Sequence, residues 1–116
     1  LKKLTILMQT YNREKYISDS IKSILDQSFK DFILIILDNA STDKTQDIVE
    51  EFHDERIIYI KNELNIGAIG NGNKGLDLIR KTYKSKYVSF FHDDDIMHPN
   101  LLEKEVEILE TNEDIV

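Results

Sequence analysis

The sequence predicts an α/β fold, a three-layer sandwich on a mainly parallel sheet. Two observations carry this. Short apolar, β-prone runs at residues 4–8, 32–37, 56–60 and 87–91 alternate with segments whose apolar residues recur at helical spacing. The run Phe32-Ile33-Leu34-Ile35-Ile36-Leu37 has no polar alternation, the mark of a central parallel strand covered on both faces. Length agrees: 116 residues fit one domain with a modest core.

Each element has its own signal. Leu4-Thr5-Ile6-Leu7-Met8 reads as a first buried strand, closed by the polar turn Gln9-Thr10-Tyr11-Asn12. A helix is expected from about Glu14, because Ile17, Ile21, Ile24 and Leu25 share one face. The second strand ends in Asp38-Asn39-Ala40-Ser41-Thr42-Asp43. There Ser41 or Thr42 can cap the next helix, whose buried face is Ile48, Val49 and Phe52. Arg56-Ile57-Ile58-Tyr59-Ile60 is a third strand, followed by a loop at residues 62–65. All four glycines fall within residues 67–75, a stretch that reads as a glycine-rich lead into a helix bearing Leu76, Ile79 and Tyr83. Tyr87-Val88-Ser89-Phe90-Phe91 reads as a buried fourth strand running into Asp93-Asp94-Asp95. Pro99 suits the first position of a last helix carrying Leu102, Val106 and Leu109. Ile115 and Val116 read as the start of a further strand.

Composition removes several functions. With no cysteine, disulfides and thiolate metal sites are excluded. No apolar run is long enough to span a bilayer, and no signal peptide is visible. The net charge of −7 and the absence of a basic face argue against nucleic acid as a partner. An acidic protein still binds an anionic ligand when a metal ion bridges the two.

Parallel strands put three polar loops, Thr10-Tyr11-Asn12, Asp38-Asn39 and Asp93-Asp94-Asp95, at one sheet edge, where α/β proteins bind ligands. Tyr11 offers a ring for stacking on a base. Asp38 can accept from a base N–H or a sugar hydroxyl. Oxygen ligands crowded in the triplet suit a hard ion, Mg²⁺ or Mn²⁺, held against a diphosphate. Each loop also has a plain structural reading: a surface aromatic, turn chemistry at Asp38-Asn39, and a solvated acidic cap. His92 and His98 read as structural.

Taken together, Met8-Gln9-Thr10-Tyr11-Asn12-Arg13, Asp38-Asn39-Ala40-Ser41-Thr42-Asp43, Asn65-Ile66-Gly67-Ala68, Asn73-Lys74-Gly75 and Asp93-Asp94-Asp95-Ile96 with Pro99 resemble the N-terminal half of a family 2 glycosyltransferase of the GT-A fold. This fold is the Rossmann-like one of nucleotide-diphospho-sugar transferases, and the resemblance spans the chain. It implies that residues 1–116 are the nucleotide-sugar-binding part of a longer transferase domain. The implied activity moves a sugar from a nucleotide-sugar, usually a UDP-sugar, to an acceptor hydroxyl with inversion, in polysaccharide or cell-surface glycan synthesis. Tyr11 and Asp38 would contact the base, with Thr10, Asn12, Asn39 and Asn73 also on the donor. The preferred register puts the metal, Mn²⁺ or Mg²⁺, on Asp94 and Asp93 on the ribose. A literal Asp93-x-Asp95 register also stands, so Asp94 and Asp95 are the metal candidates. The sequence departs from the family at His92 in the acidic motif, at Gln9 where proline is common, and at Gly72 where an arginine is common. The catalytic base and acceptor site are expected beyond Val116. The full protein is expected in the cytoplasm, with a peripheral place at the membrane face left open.

Gly70-Asn71-Gly72-Asn73-Lys74-Gly75 also satisfies the G-x-G-x-x-G fingerprint of dinucleotide-binding oxidoreductases. That fingerprint follows a strand directly, whereas residues 61–69 intervene here. A phosphoryl-accepting aspartate domain lacks its later serine or threonine and lysine. A non-catalytic nucleotide-binding module is the remaining alternative.

Overall fold

In the computed structural model, residues 1–112 are described. The element order is β1 (Leu4–Thr10), α1 (Ile17–Leu25), β2 (Phe32–Asp38), α2 (Thr45–Glu50), β3 (Ile57–Lys61), α3 (Gly67–Leu78), a π-helical turn (Ile79–Tyr83), β4 (Tyr87–Phe90) and α4 (Leu101–Thr111). The described strands form one sheet in the order β3-β2-β1-β4, with every pairing parallel. The strand read at Ile115 and Val116 lies outside the described residues.

The pleat of the two central strands sorts the core. Leu4, Ile6, Met8, Phe32, Leu34 and Ile36 pack on one face with Ile17, Ile21 and Ile24 of α1, Val49 of α2, and Leu102 and Val106 of α4. Leu7, Ile35 and Leu37 point to the other face, against Leu78 at the end of α3 and Ile79 at the start of the π-helical turn. That is the three-layer sandwich: α1, α2 and α4, then the sheet, then α3.

Four local expectations are revised. The glycine segment is not a loop: α3 begins at Gly67, and Gly70, Gly72 and Gly75 lie inside it. Close packing explains Gly75, since a Cβ there would sit 2.6 Å from Leu37 Cδ1 and 2.7 Å from Leu7 Cδ2. Gly67 makes the entry turn at φ +80°. The glycines thus seat a helix on β1 and β2 and form no strand-to-helix phosphate turn, which removes the dinucleotide fingerprint. Second, among the described residues β4 stands at the edge of the sheet, with Val88 38% and Phe90 60% exposed. Third, α1 starts at Ile17, because residues 13–16 form a separate turn in which Tyr16 N–H and Ile17 N–H donate to Arg13 C=O. Fourth, neither Ser41 nor Thr42 caps α2: Lys44 stands at the N-cap, and Asp43 just before it accepts at Oδ1 from Thr45 N–H at 2.9 Å and from Thr45 Oγ1 at 2.6 Å. Pro99 stands just before α4, where its carbonyl accepts from Ser28 N–H at 3.0 Å.

Candidate functional site

The ends of β1 and β2 and the loop after β4 border one open cleft of about 340 Å³. From the end of β1 come Gln9, Thr10, Tyr11 and Arg13. The facing wall is Asn39, Asn65, Ala68 and Asn71, and Asp93 closes the side under β4. Tyr11 is 45% exposed, leaving its ring free to stack. Thr10 is buried, and its Oγ1 has no hydrogen-bond partner among the described residues. Arg13 Nε lies 3.5 Å from Asp93 Oδ1 and sets a cation beside the acidic loop.

A clasp of side chains holds the first two loops together. Asn12 adopts φ +51°, a left-handed conformation that asparagine tolerates. Its Oδ1 accepts from Thr42 N–H at 2.8 Å and Asp43 N–H at 3.3 Å, and its own N–H donates to Ser41 Oγ at 2.9 Å. Arg13 N–H donates to Thr45 Oγ1 at 2.9 Å. Asn12 therefore ties the loops, and it is not among the cleft-lining residues.

Asp38 is placed differently from its expected role at the base. It is fully buried. Its Oδ1 accepts from Ser41 N–H at 2.8 Å, and its Oδ2 accepts from the Tyr59 hydroxyl at 2.5 Å. Burial first, and then the Asp38 carboxylate, push the Tyr59 phenol well above its ordinary range, so the hydroxyl stays protonated as donor. Asp38 continues the even-numbered face of β2, toward the α1, α2 and α4 layer. Asn39, the next residue, turns to the opposite side and supplies the cleft wall.

Asn73 is also displaced from its expected role. It is exposed and borders a separate hollow with Gly70, Lys74 and Asp77 on the outside of α3. Asn71, two residues earlier and so about 200° round the helix, faces the cleft instead. Arg13, Asn65, Ala68 and Asn71 were not read from the sequence as site residues. Arg13 had a signal, since it directly follows the Thr10-Tyr11-Asn12 loop.

Within the acidic triplet, Asp93 is buried at the cleft, whereas Asp94 and Asp95 are exposed in the turn. The Asp95 carbonyl accepts from Ser20 Oγ at 2.5 Å, which pins the turn to α1. Among the described residues no group of three or more His, Asp or Glu side chains converges as a complete metal cage. The oxygen-only donor set still fits Mg²⁺ or Mn²⁺, which bind through one or two carboxylates and take their remaining oxygens from water and substrate phosphates. No helix among the described residues is long and apolar enough to cross a membrane.

Comparison with known proteins converges on one group. The profile of "Glycosyl transferase family 2" matches residues 5–116. An uncharacterized glycosyltransferase of Methanocaldococcus jannaschii, MJ1057, is 41% identical over 97% of this chain and 39% of the relative. The Escherichia coli enzyme WfaP, a UDP-Glc:alpha-D-GlcNAc-diphosphoundecaprenol beta-1,3-glucosyltransferase, is 34% identical over 93% of this chain and 41% of its own. Among solved structures, Staphylococcus aureus TarS 1–349 in complex with UDP superposes with a TM-score of 0.84 at 26% identity, covering 96% of this chain and 33% of that one. The Pyrobaculum calidifontis mannosyltransferase PcManGT, in complex with GDP-Man and Mn²⁺, shares the fold with a TM-score of 0.78 at 21% identity, over 93% and 32% of the two chains. This chain thus spans 39% and 41% of the length of those two curated relatives. An all-parallel sheet with its polar loops gathered at one edge, and a family match running from β1 through the last residue, lead to one assignment: the chain belongs to glycosyl transferase family 2 and has the GT-A fold.

Proposed function

We propose that this chain forms the donor site of a metal-assisted, inverting glycosyltransferase. It would use a nucleotide-diphosphate sugar, a UDP-sugar by preference, and an acceptor hydroxyl on a growing glycan. The observation that carries the reading is the gathering of the exposed Tyr11 ring, Asn39 and Asp93 around one cleft at the strand ends. Tyr11 stacks on the base, with Thr10 beside it in the cleft wall, and Asn39 supplies a hydrogen bond at its edge. Asp93 meets the ribose. Asp94 is the principal ligand for Mn²⁺ or Mg²⁺, with Asp95 beside it. When bound, the metal neutralises charge on the leaving diphosphate. Arg13, close to Asp93, adds a fixed cation on the same side. The acceptor oxygen attacks the anomeric carbon as the bond from that carbon to the phosphate oxygen breaks. The acceptor proton passes to a base that none of these residues is assigned to be. UDP in the TarS complex and Mn²⁺ in the PcManGT complex support the ligand classes. The lipid-diphosphate acceptor in the WfaP name supports glycan assembly at the cytoplasmic membrane face as the setting.

Calorimetric titration of UDP tests this. Binding should be weak in chelator and stronger in Mn²⁺, and Asp94→Asn should remove most of the metal-dependent gain, ~2 kcal/mol for a charge-assisted contact. A loss as large at Asp95→Asn would favour the Asp93-x-Asp95 register. Equal affinity with and without metal, unaltered by either substitution, would reduce the triplet to a solvated cap.

A further inference from the structure

The wall of the cleft opposite Tyr11 is built from carboxamides joined by one unbroken chain of hydrogen bonds. Asn71 Nδ2 donates to Leu37 C=O at 3.2 Å, and Asn71 Oδ1 accepts from Asn62 Nδ2 at 2.9 Å. Asn62 Nδ2 also donates to Asn39 Oδ1 at 3.1 Å, while Asn62 Oδ1 accepts from the Lys74 ammonium at 2.5 Å. Asn39 Oδ1 accepts a second bond, from Ile66 N–H, at 2.9 Å. Asn39 Nδ2 donates to Asn65 Oδ1 at 2.9 Å, and that oxygen also accepts from Gly67 N–H at 2.9 Å.

An amide in a protein ordinarily presents its oxygen or its nitrogen to a neighbour with little to choose between them, and the network decides. Here the ends decide. The Leu37 carbonyl only accepts, so the Asn71 nitrogen must face it. The Lys74 ammonium and the Ile66 and Gly67 N–H groups only donate, so the oxygens of Asn62, Asn39 and Asn65 must face them. Reversing any one amide would set donor against donor or acceptor against acceptor. Asn71 and Asn62 are buried, where such a mismatch is most costly.

The polarity has a consequence for Asn39, which lines the cleft. Both acceptor positions of its oxygen are taken, and one of its two N–H groups is used. What is left is one N–H donor and no acceptor. We propose that this network makes Asn39 a specificity-determining donor, which recognises a carbonyl oxygen on the edge of a pyrimidine base, with Asn62 as the residue that positions it. The proposal rests on the reading of the cleft as a nucleotide site, and it adds the sense of the hydrogen bond. A carboxylate at the same position would present the opposite polarity and would face Asn65 Oδ1 with a second acceptor.

Substituting the ligand as well as the protein tests it. UDP, 2-thio-UDP and 4-thio-UDP are titrated in Mn²⁺ into the native chain, Asn39→Ala, Asn39→Asp and Asn62→Ala. Sulfur is a poor acceptor, so one of the two thio analogues should bind the native chain about fivefold or more weakly than UDP, the size of one lost hydrogen bond. Asn39→Ala should bind that analogue and UDP equally, which is coupling in a double-mutant cycle. Asn39→Asp should bind UDP more weakly than the native chain. Asn62→Ala should shrink the preference for UDP over the analogue, a ratio that general loss of stability leaves unchanged. If Asn62→Ala does not fold, the Asn39→Ala comparison decides alone. Thio analogues that lose the same factor in the native chain and in Asn39→Ala, or an Asn39→Asp variant that binds UDP as tightly as the native chain, would overturn the inference and leave the nucleotide site standing. Absence of any UDP binding by the native chain would overturn both.

Discussion

Replacing Asp38 should cost stability before it costs binding. Its carboxylate accepts two bonds inside the protein, from Ser41 N–H and the Tyr59 hydroxyl, and presents nothing to solvent. Hydrogen bonds to a charged group contribute ~1.5–3 kcal/mol each, so Asp38→Ala, which leaves both donors unpaired, should cost ~3–5 kcal/mol. Such a loss is a large share of the ~5–15 kcal/mol that holds a domain folded. Asp38→Asn is milder. The new amide keeps its oxygen toward Ser41 N–H and turns its nitrogen to Tyr59, whose hydroxyl must then accept. Two charge-assisted bonds become two neutral ones, a loss of ~1–3 kcal/mol. Urea unfolding of both variants, with Tyr59→Phe to complete a cycle, measures this. A second readout is alkaline titration of the five tyrosines. Tyr59 has its phenol pushed up in the folded state, so it should stay protonated through the ordinary phenol range. The stability it supplies is complete below the ordinary phenol range and is lost as pH rises beyond it. Asp38→Asn that unfolds like the native chain, yet binds UDP tenfold more weakly, would refute the reasoning, since the carboxylate would then face the ligand.

Two further outcomes follow from packing and charge. Gly75→Ala should destabilise by ~1–2 kcal/mol, because overpacking against Leu7 and Leu37 outweighs the gain in helix propensity. Gly70→Ala, whose Cβ would meet only Ile66 at an ordinary 3.6 Å, should stabilise by up to ~1 kcal/mol, and equal effects in thermal unfolding would contradict the close seat at Gly75. Glu110 is held down to about 2 by bonds from Lys3, Lys86 and Tyr87. Its depressed value means the contribution is present above the ordinary glutamate range and is lost as pH falls toward about 2. Glu110→Gln should therefore lower stability slightly in the neutral region and leave the acid extreme unchanged, which flattens the acid limb of the stability profile; the effect is small because the site is exposed and salt-screened.

The layers of the fold were legible because burial on both faces writes itself as unbroken apolar runs such as residues 32–37. The edge position of β4 was not, because a run of Tyr, Val and Phe looks the same whether its faces are covered or not. Glycine hid α3: its low helix propensity suggests a loop, and only the closeness of Leu7 and Leu37 to Gly75 explains why a helix forms there. Motif resemblance alone places Asn73 on the donor, and the helix that runs through it turns Asn71 to the cleft instead. Asp38 and Asn39 show the complementary limit. Adjacent residues at a strand end point to opposite faces, and a motif names both without saying which one meets the ligand. Thr10 and Tyr11 were legible because they sit where β1 opens onto the sheet edge, a placement that topology alone dictates.

The most direct test of a donor site at this edge is paramagnetic broadening of backbone amides by Mn²⁺ in the presence of UDP. Broadening should centre on Asp93, Asp94 and Asp95, reach Thr10, Tyr11 and Arg13, and fall away when UDP is omitted, because the diphosphate completes the ion's ligands. Amides of Asn73, Asp77 and Lys81, on the outer face of α3, should stay sharp. Broadening centred on that outer hollow, or a pattern indifferent to UDP, would contradict the assignment of the cleft as the nucleotide-sugar site.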